Sequence, residues 1–373
     1  MSNVSVRFFG PLNNYSGYGN AVKNFALAFS ESECDTHFAF ANKLKIDYAE
    51  TYDRLYHYDG KCMVDFYLHG PPWNKHRSRA KYKIGYFYWE ADKLPPVWLK
   101  GLNSVNEIWA PCNLVRNACK QAGFRGRIRV VPTPAETWYS NKKAVIPSGF
   151  SDDYMLSDEV FKFYSIFQWN ERKGYKELLN SYYRTFTRND KVVLIVKTNP
   201  LNINGNTREK IKYEILDIKR RLNQKYYPPV YLMDDIIPEE HIQALHMTAD
   251  CYISPHHGEG WGMPIHDAML SGKQIITTKF GGVTEHLDND SAHIINHTIG
   301  PVRNMAWSSL YTNKQNWAYP KVNHLKKLMR DVYENHELYE EKGYKAREIG
   351  ETMTVETVAD FITRELTREK LRL

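Results

Sequence analysis

The sequence has no run of about 18 consecutive apolar residues, so no helix of membrane-spanning length is expected. Cysteine is scarce: five residues, at 34, 62, 112, 119 and 251, odd in number and widely spaced. No Cys-x-x-Cys occurs, which argues against both a disulfide framework and a zinc site, and the five read as reduced thiols. The opening MSNVSVRFFGPLNNYSG lacks the basic, apolar and small-residue order of a secretion signal, and a cytoplasmic location is expected. There is no Gly-x4-Gly-Lys-Ser/Thr loop, which argues against P-loop hydrolysis. Gly17 and Gly19 begin a dinucleotide fingerprint that Val22 breaks. No internal repeat and no low-complexity tract appears.

What the chain does have is enough length for two domains and enough apolar residues to give each a core: 373 residues, 42% of them apolar. Charge divides unevenly. Residues 1–145 hold 20 Lys+Arg against 12 Asp+Glu, and the remaining 228 hold 30 against 31. A basic first half suggests an anionic partner there, with an incidental solubilising surface as the plain alternative.

Strand and helix patterns alternate through both halves. The first half reads as a strand at 4–9, a glycine loop, a helix at 20–29, strands at 63–68, 83–88, 107–110 and 129–131, and a helix at 114–123. A polar stretch at 137–153 reads as a linker. Beyond it come strands at 161–167, 192–197, 230–233, 251–253 and 274–277. Helices at 175–186, 208–224, 239–247 and 265–271 lie between them, and further helices run from 320 onward. Such alternation predicts parallel sheets covered on both faces, with ligands outside the carboxyl ends of the strands.

The densest chemistry is SPHHGEGWGMPIHDAMLSGKQIITTKFGGVTE, residues 254–285. Gly258, Gly260 and Gly262 leave a bare backbone before a helix expected from about Pro264, and exposed amides at a helix start favour an anion such as a diphosphate. Glu259 and, eight residues on, Asp267 offer carboxylates that accept hydrogen bonds from sugar and ribose hydroxyls. A glycine-rich turn before an acidic helix start is the bland alternative.

This stretch resembles the Glu-x7-Glu signature of retaining family-four glycosyltransferases, the glycosyl transferases group 1 enzymes. It stands here as EGWGMPIHDAML followed by GGVTEH, with Asp267 in place of the second glutamate. The resemblance implies an α/β chain of GT-B type, with two Rossmann-like domains facing each other across a cleft. Residues 1–145 would form the acceptor-side domain, with a C-terminal helix at 355–373 packing back on it, and 146–354 the nucleotide-sugar domain. It also implies that Glu259 holds the sugar, Asp267 the ribose, and the amides near Trp261, Gly262 and Met263 the diphosphate. SIFQWNERKGYKELLNSYYRTF (165–186) resembles the family's Arg-Lys-Gly segment, so Arg172 and Lys173 would neutralise the leaving diphosphate. Gln168-Trp169 stand where the family often has Gly-Arg. No Asp-x-Asp metal clamp lies near that segment. VYLMDDIIPEEHIQAL (230–245) resembles the nucleobase cradle, whose contacts, here about Ile237, run through backbone; Asp234 and Asp235 are assigned no metal. GPLNNYSGYGNAVKNFALAF (10–29) resembles the first glycine loop, bringing Gly17 and Gly19 to the donor phosphate.

The same likeness extends to KIGYFYWEADKLPPVWLKGLNSVNEIWAPC (83–112), which puts Glu90 and Asp92 on the acceptor side. Glu90 either orients or deprotonates the acceptor hydroxyl or bonds a neighbouring amide; His69 ends a strand in a similar place. The activity implied is transfer of a hexose or pentose from a nucleotide-diphosphate sugar to a hydroxyl, needing neither cofactor nor metal. A saccharide or envelope glycan is the first expectation for the acceptor. A second comes from WNKHRSRAKYK (73–83), where Lys75, Arg77 and Arg79 alternate near Trp73 and Tyr82, and from Arg125, Arg127 and Arg129. Cations interleaved with aromatics suit nucleic acid, as in phage-type enzymes acting on hydroxymethylated DNA bases. They leave a peripheral membrane contact open, and alternate strand residues facing solvent are the plain reading. Outside enzymes, a catalytically silent sugar-nucleotide-binding protein fits the same fold. A phosphorylase fits less well, lacking its cofactor-lysine segment.

Overall fold

The structure, a computed structural model, describes residues 4–11, 17–40, 61–73, 78–137, 157–199, 206–305 and 310–371. Two compact units divide it: Met1–Thr137 with Ser309–Gln315 and Thr352–Leu373, and Trp138–Ser308 with Asn316–Glu351. Most of the 137–153 stretch, with Lys75 and Arg77, lies outside the described residues.

The first unit is a parallel sheet. Its strands are β1 (Ser5–Gly10), β2 (Asp35–Phe40), β3 (Val64–Leu68), β4 (Tyr82–Tyr86), β5 (Glu107–Ala110) and β6 (Arg127–Val130), ordered β2-β1-β3-β4-β5-β6. Helices α1 (Gly17–Glu31), α2 (Pro96–Leu102) and α3 (Asn113–Gln121) follow β1, β4 and β5 in sequence. Helix α1 turns Val22, Phe25, Ala26 and Phe29 onto Val6, Phe8 and Phe66 of the sheet. The C-terminal helix Val355–Glu365 packs beside α1 and adds Val355, Val358, Ala359 and Ile362 to this core. Its Thr354 side chain caps it by accepting from the Thr357 amide.

The second unit carries β7 (Phe161–Gln168), β8 (Val192–Asn199), β9 (Val230–Met233), β10 (Cys251–Ser254), β11 (Gln274–Thr278) and β12 (His293–Ile295), ordered β12-β11-β10-β7-β8-β9. Counted from its own first strand this is 3-2-1-4-5-6, the doubly wound order of a Rossmann fold. A hairpin, β13 (His297–Pro301) with β14 (Asn316–Pro320), follows. The helices are α4 (Tyr175–Thr185), α5 (Asn206–Leu222), α6 (Glu239–Thr248), α7 (Met263–Leu270), α8 (Val322–Asn335) and α9 (Glu340–Gly350). Phe163, Leu194, Val196, Ile253 and Ile276 meet Leu178, Tyr182, Leu325 and Met329 in one core.

Strand order fixes where function can sit. In the second sheet the order reverses between β7 and β10, adjacent parallel strands that are remote in sequence. The loops leaving their carboxyl ends part there, and that opening is where ligands enter such sheets.

Candidate functional site

The loops leaving β7 and β10 are joined. After β7 the chain makes a single 3-10 turn, Glu171–Lys173, and then α4 begins through Gly174 at φ +68°. A side chain there would collide with the Pro255 carbonyl oxygen. The Arg172 carbonyl accepts from the His257 amide at 2.7 Å, which ties the turn to the loop after β10. That loop is held on its other side by the amide of Gly282, which donates to the Glu259 carbonyl at 2.9 Å.

Glu259 is buried. Lys173 Nζ donates to its Oε1, and Arg172 Nη1 lies 3.3 Å from Oε2. Burial alone would raise the carboxyl; Lys173 and Arg172 outweigh it and hold the group at about 2. The loop ends at Gly262, φ +91°, the N-cap of α7. Trp261, Gly262 and Met263 bring amides with no partner among the described residues to this helix start. Asp267, half-buried, stands one turn into α7, and Tyr252 of β10 senses both Glu259 and Asp267.

Residues that the sequence did not single out complete the rim. Asn170, after β7, has both side-chain polar atoms buried without a partner. So do both ring nitrogens of His256, after β10, and the hydroxyls of Thr198 and Thr278, at the ends of β8 and β11. Each such atom costs about 1–3 kcal/mol unless something bonds it. Burial and the neighbouring Lys173 and Arg172 cations push His256 down to about 3, against the pull of Glu259, so it is a neutral imidazole. No local pattern marks these residues, because the signal is burial without a partner.

Elsewhere the structure qualifies the sequence reading. Helix α1 begins at Gly17, three residues before the expected start, so Gly17 and Gly19 form its first turn rather than a free loop. Trp169 is packed on Tyr175, and its indole donates to Glu214 at 2.7 Å. Ile237 is half-buried between β9 and α6, and Arg208 pairs with Asp234 and Asp235. The chain's Asp-x-Asp, Asp288–Asp290, is a turn in which Asp288 accepts from Asp290 and Ser291. In the first unit Glu90 accepts from the Tyr311 hydroxyl at 2.5 Å. His69 is half-buried and donates to the Gly70 carbonyl at 2.9 Å, Asp92 is half-buried, and Arg79 is exposed.

The basic stretches are corrected in part. Trp73 is 1% exposed with its indole on the His69 carbonyl, so its ring is not free to stack on a base; Tyr82 is half-buried, packs against the first unit's core and donates to Glu107. Arg129 is not a solvent-facing cation: Glu107 at 2.6 Å and Glu365 hold it.

Residues 152–301 match the family described as Glycosyl transferases group 1. Over these residues the chain is similar to a group 1 glycosyltransferase domain. The matched stretch lies wholly in the second unit and contains Lys173, Glu259 and Asp267. A glycosyltransferase from Rickettsia africae is 12% identical, covers 100% of each chain and superposes with a TM-score of 0.70. Anabaena HepE in complex with UDP and glucose is 12% identical over 98% of this chain and 99% of its own, TM-score 0.69. The Escherichia coli trehalose-6-phosphate structure bound with UDP-2-fluoro glucose is 10% identical over 97% and 98%, TM-score 0.67. At these identities the likeness establishes the fold, which is GT-B. No curated protein matches the sequence.

Among the described residues no helix is long and apolar enough to cross a membrane, and no group of three His, Cys, Asp or Glu could hold a metal ion.

Proposed function

We propose that this glycosyltransferase moves a sugar from a nucleotide-diphosphate sugar to a saccharide hydroxyl, retaining the anomeric configuration and requiring no metal. The observation that carries the reading is the Glu259–Lys173–Arg172 cluster at the strand-order reversal of a Rossmann sheet, ringed by buried polar atoms that lack partners. Such a rim suits a ligand dense in hydroxyls and phosphate oxygens.

In this reading Glu259 accepts from sugar hydroxyls. The ammonium of Lys173 has three donors, so it can keep Glu259 and also meet a diphosphate oxygen. Arg172 and the amides of Trp261, Gly262 and Met263 stabilise the charge that develops on the diphosphate as the anomeric C–O bond breaks. The acceptor oxygen forms the new bond on the same face, and its proton passes to the departing diphosphate oxygen. Asp267 accepts from the ribose, and backbone about Ile237 meets the base. Because cations and amides offset the diphosphate charge, transfer is expected to survive a chelator. HepE was solved with UDP and glucose, which makes UDP-glucose the first donor to try.

The test is transfer from a panel of nucleotide sugars by the wild type and by Glu259→Gln. Wild-type turnover with a large loss in the variant supports the reading; equal turnover removes it. A catalytically silent binding protein would show donor binding with neither transfer nor donor hydrolysis.

A further inference from the structure

A second concentration of positive charge lies on the nucleotide-sugar unit, outside the residues described so far. Between α4 and the start of α8 is an open surface pocket of about 660 Å³, lined by Asn180, Arg184, Lys321, Val322, Asn323, His324 and Lys327. None of these is acidic. Arg184, Lys321 and Lys327 have no carboxylate partner among the described residues. Asp331, one turn beyond Lys327, is already engaged by Tyr339 at 2.8 Å and Asn335 at 3.0 Å. Lys321 stands just before α8, and His324 and Lys327 follow at three-residue steps on its first turns.

His324 is oriented toward donation. Its Nδ1 accepts from the Asn296 amide at 3.1 Å, which leaves the proton of the neutral ring on Nε2. Burial first, and then the nearby Lys327 and Lys321, depress its pKa. The first turn of α8 adds to this: it has no side-chain cap and no acidic residue. The Lys321 amide bonds Asn296, while those of Val322 and Asn323 have no partner among the described residues.

We propose that this cavity binds a phosphate group, gripped by Arg184, Lys321 and Lys327 and by the Nε2–H of His324, with the free amides of α8 behind them. Guanidinium and ammonium donors that lack a carboxylate are the chemistry a phosphate satisfies. A free phosphorylated ligand and a lipid headgroup present the same group, and the experiment separates them. This site shares no residue with the Glu259 cluster, so the two stand or fall apart.

The test uses the full chain with labelled histidines and inorganic phosphate as the probe. The His324 signal, assigned through His324→Gln, should shift saturably. The double variant Arg184→Gln, Lys327→Gln, all surface positions, should weaken apparent affinity by about tenfold or more at an unchanged unfolding midpoint. Lys321→Gln serves as a second, independent variant. Lys173→Ala should leave the His324 titration as it was. A shift that rises without saturation to tens of millimolar, or that survives both sets of substitutions, overturns the proposal. A parallel arm asks whether the protein sediments with phosphatidylcholine vesicles containing phosphatidic acid. Sedimentation competed by phosphate assigns the site to a lipid headgroup. Saturable phosphate binding without sedimentation assigns it to a free phosphorylated ligand. Sedimentation indifferent to phosphate and to the substitutions reflects diffuse charge and overturns it.

Discussion

Arg172 Nη1 stands 2.6 Å from the Gly258 carbonyl oxygen and 3.3 Å from Glu259 Oε2, so one guanidinium holds both a loop and the carboxylate on it. Lys173 closes on the other carboxylate oxygen. Glu259 is thereby an internal ion-pair member as well as a candidate ligand for sugar, whereas its glycine-rich surroundings suggest a carboxylate with little structural part.

Two substitutions separate those parts. Glu259→Ala leaves two buried cations without their counter-charge, a loss of roughly 3–5 kcal/mol for a broken buried pair. Glu259→Gln keeps the shape and an acceptor oxygen, and should unfold at a higher temperature than the alanine variant. Transfer should fall by about 10²–10³ or more in both. Measuring turnover beside the unfolding midpoint checks this. A glutamine variant that is stable and fully active would leave Glu259 a purely structural residue.

Acid sensitivity should come in two steps. Burial pushes His246, His256 and His286 down to about 3 and His266 down to about 4, against roughly 6.5 in an unfolded chain. Between those values the unfolded chain binds protons that the native one refuses, so stability declines as pH drops below about 6.5. Glu259 acts lower. Its folded value of about 2 lies under the unfolded value near 4.3, so its contribution is complete above about 4.3 and vanishes as pH falls toward 2. Unfolding midpoints across this range should fall from about pH 6.5 and fall faster under about 4.5. Glu259→Gln should shrink only the lower step, to which Asp190, held at about 2 beside Arg330, also contributes. A midpoint flat down to about pH 5 would contradict the buried neutral histidines.

Much of this was legible in the residues because it is local. The Arg172–Gly174 segment and the 254–285 stretch each carry their chemistry within one contiguous run, and most strands of both sheets announce themselves by apolar runs. Strand β2, DTHFAF, does not: polar residues break its first half, and only its register with β1 makes it a strand. The early start of α1 was hidden by Gly17, a poor helix former whose absent side chain would sit in open space. The partners of Arg129 were hidden by distance along the chain, since Glu365 lies 236 residues away. Alternation alone reads that arginine as facing solvent. The unpartnered Asn170 and His256 depend on burial, which no local pattern encodes.

Gly174 offers a test of the joint between the two loops. Its φ of +68° already disfavours any side chain, and a Cβ would drive into the Pro255 carbonyl oxygen, which belongs to backbone and cannot swing aside. Gly174→Ala should therefore destabilise the protein by more than about 1 kcal/mol. It should also cut transfer beyond what lost folding explains, because Lys173 and Glu259 are aligned by that contact. Activity per folded molecule is the readout, and an unchanged value would mean that the two loops are positioned independently.

The first unit's cations offer a test of the acceptor. Arg79, Lys81, Arg125 and Arg127 are exposed there, so some attraction to any polyanion is expected. Base recognition needs stacking surfaces as well, and the two aromatics of the 73–83 stretch are engaged: Trp73 in the core, Tyr82 packed against it with its hydroxyl on Glu107. Arg129, closed between Glu107 and Glu365, adds nothing outward. DNA binding should then be weak and strongly salt-dependent. Arg79→Ser, Arg125→Ser and Arg127→Ser together should flatten the dependence by up to about 0.9 per cation in the logarithmic slope. None of the three should change donor affinity, because the Glu259 cluster and the α7 helix start lie in the other unit. The decisive measurement is sugar incorporation into duplex DNA carrying hydroxymethylated pyrimidines, beside unmodified DNA and simple saccharides. Incorporation is expected only into the saccharides. Sugar transferred to the hydroxymethylated DNA and withheld from the unmodified duplex would make the DNA base the acceptor, and would require the first unit to offer stacking surfaces other than Trp73 and Tyr82.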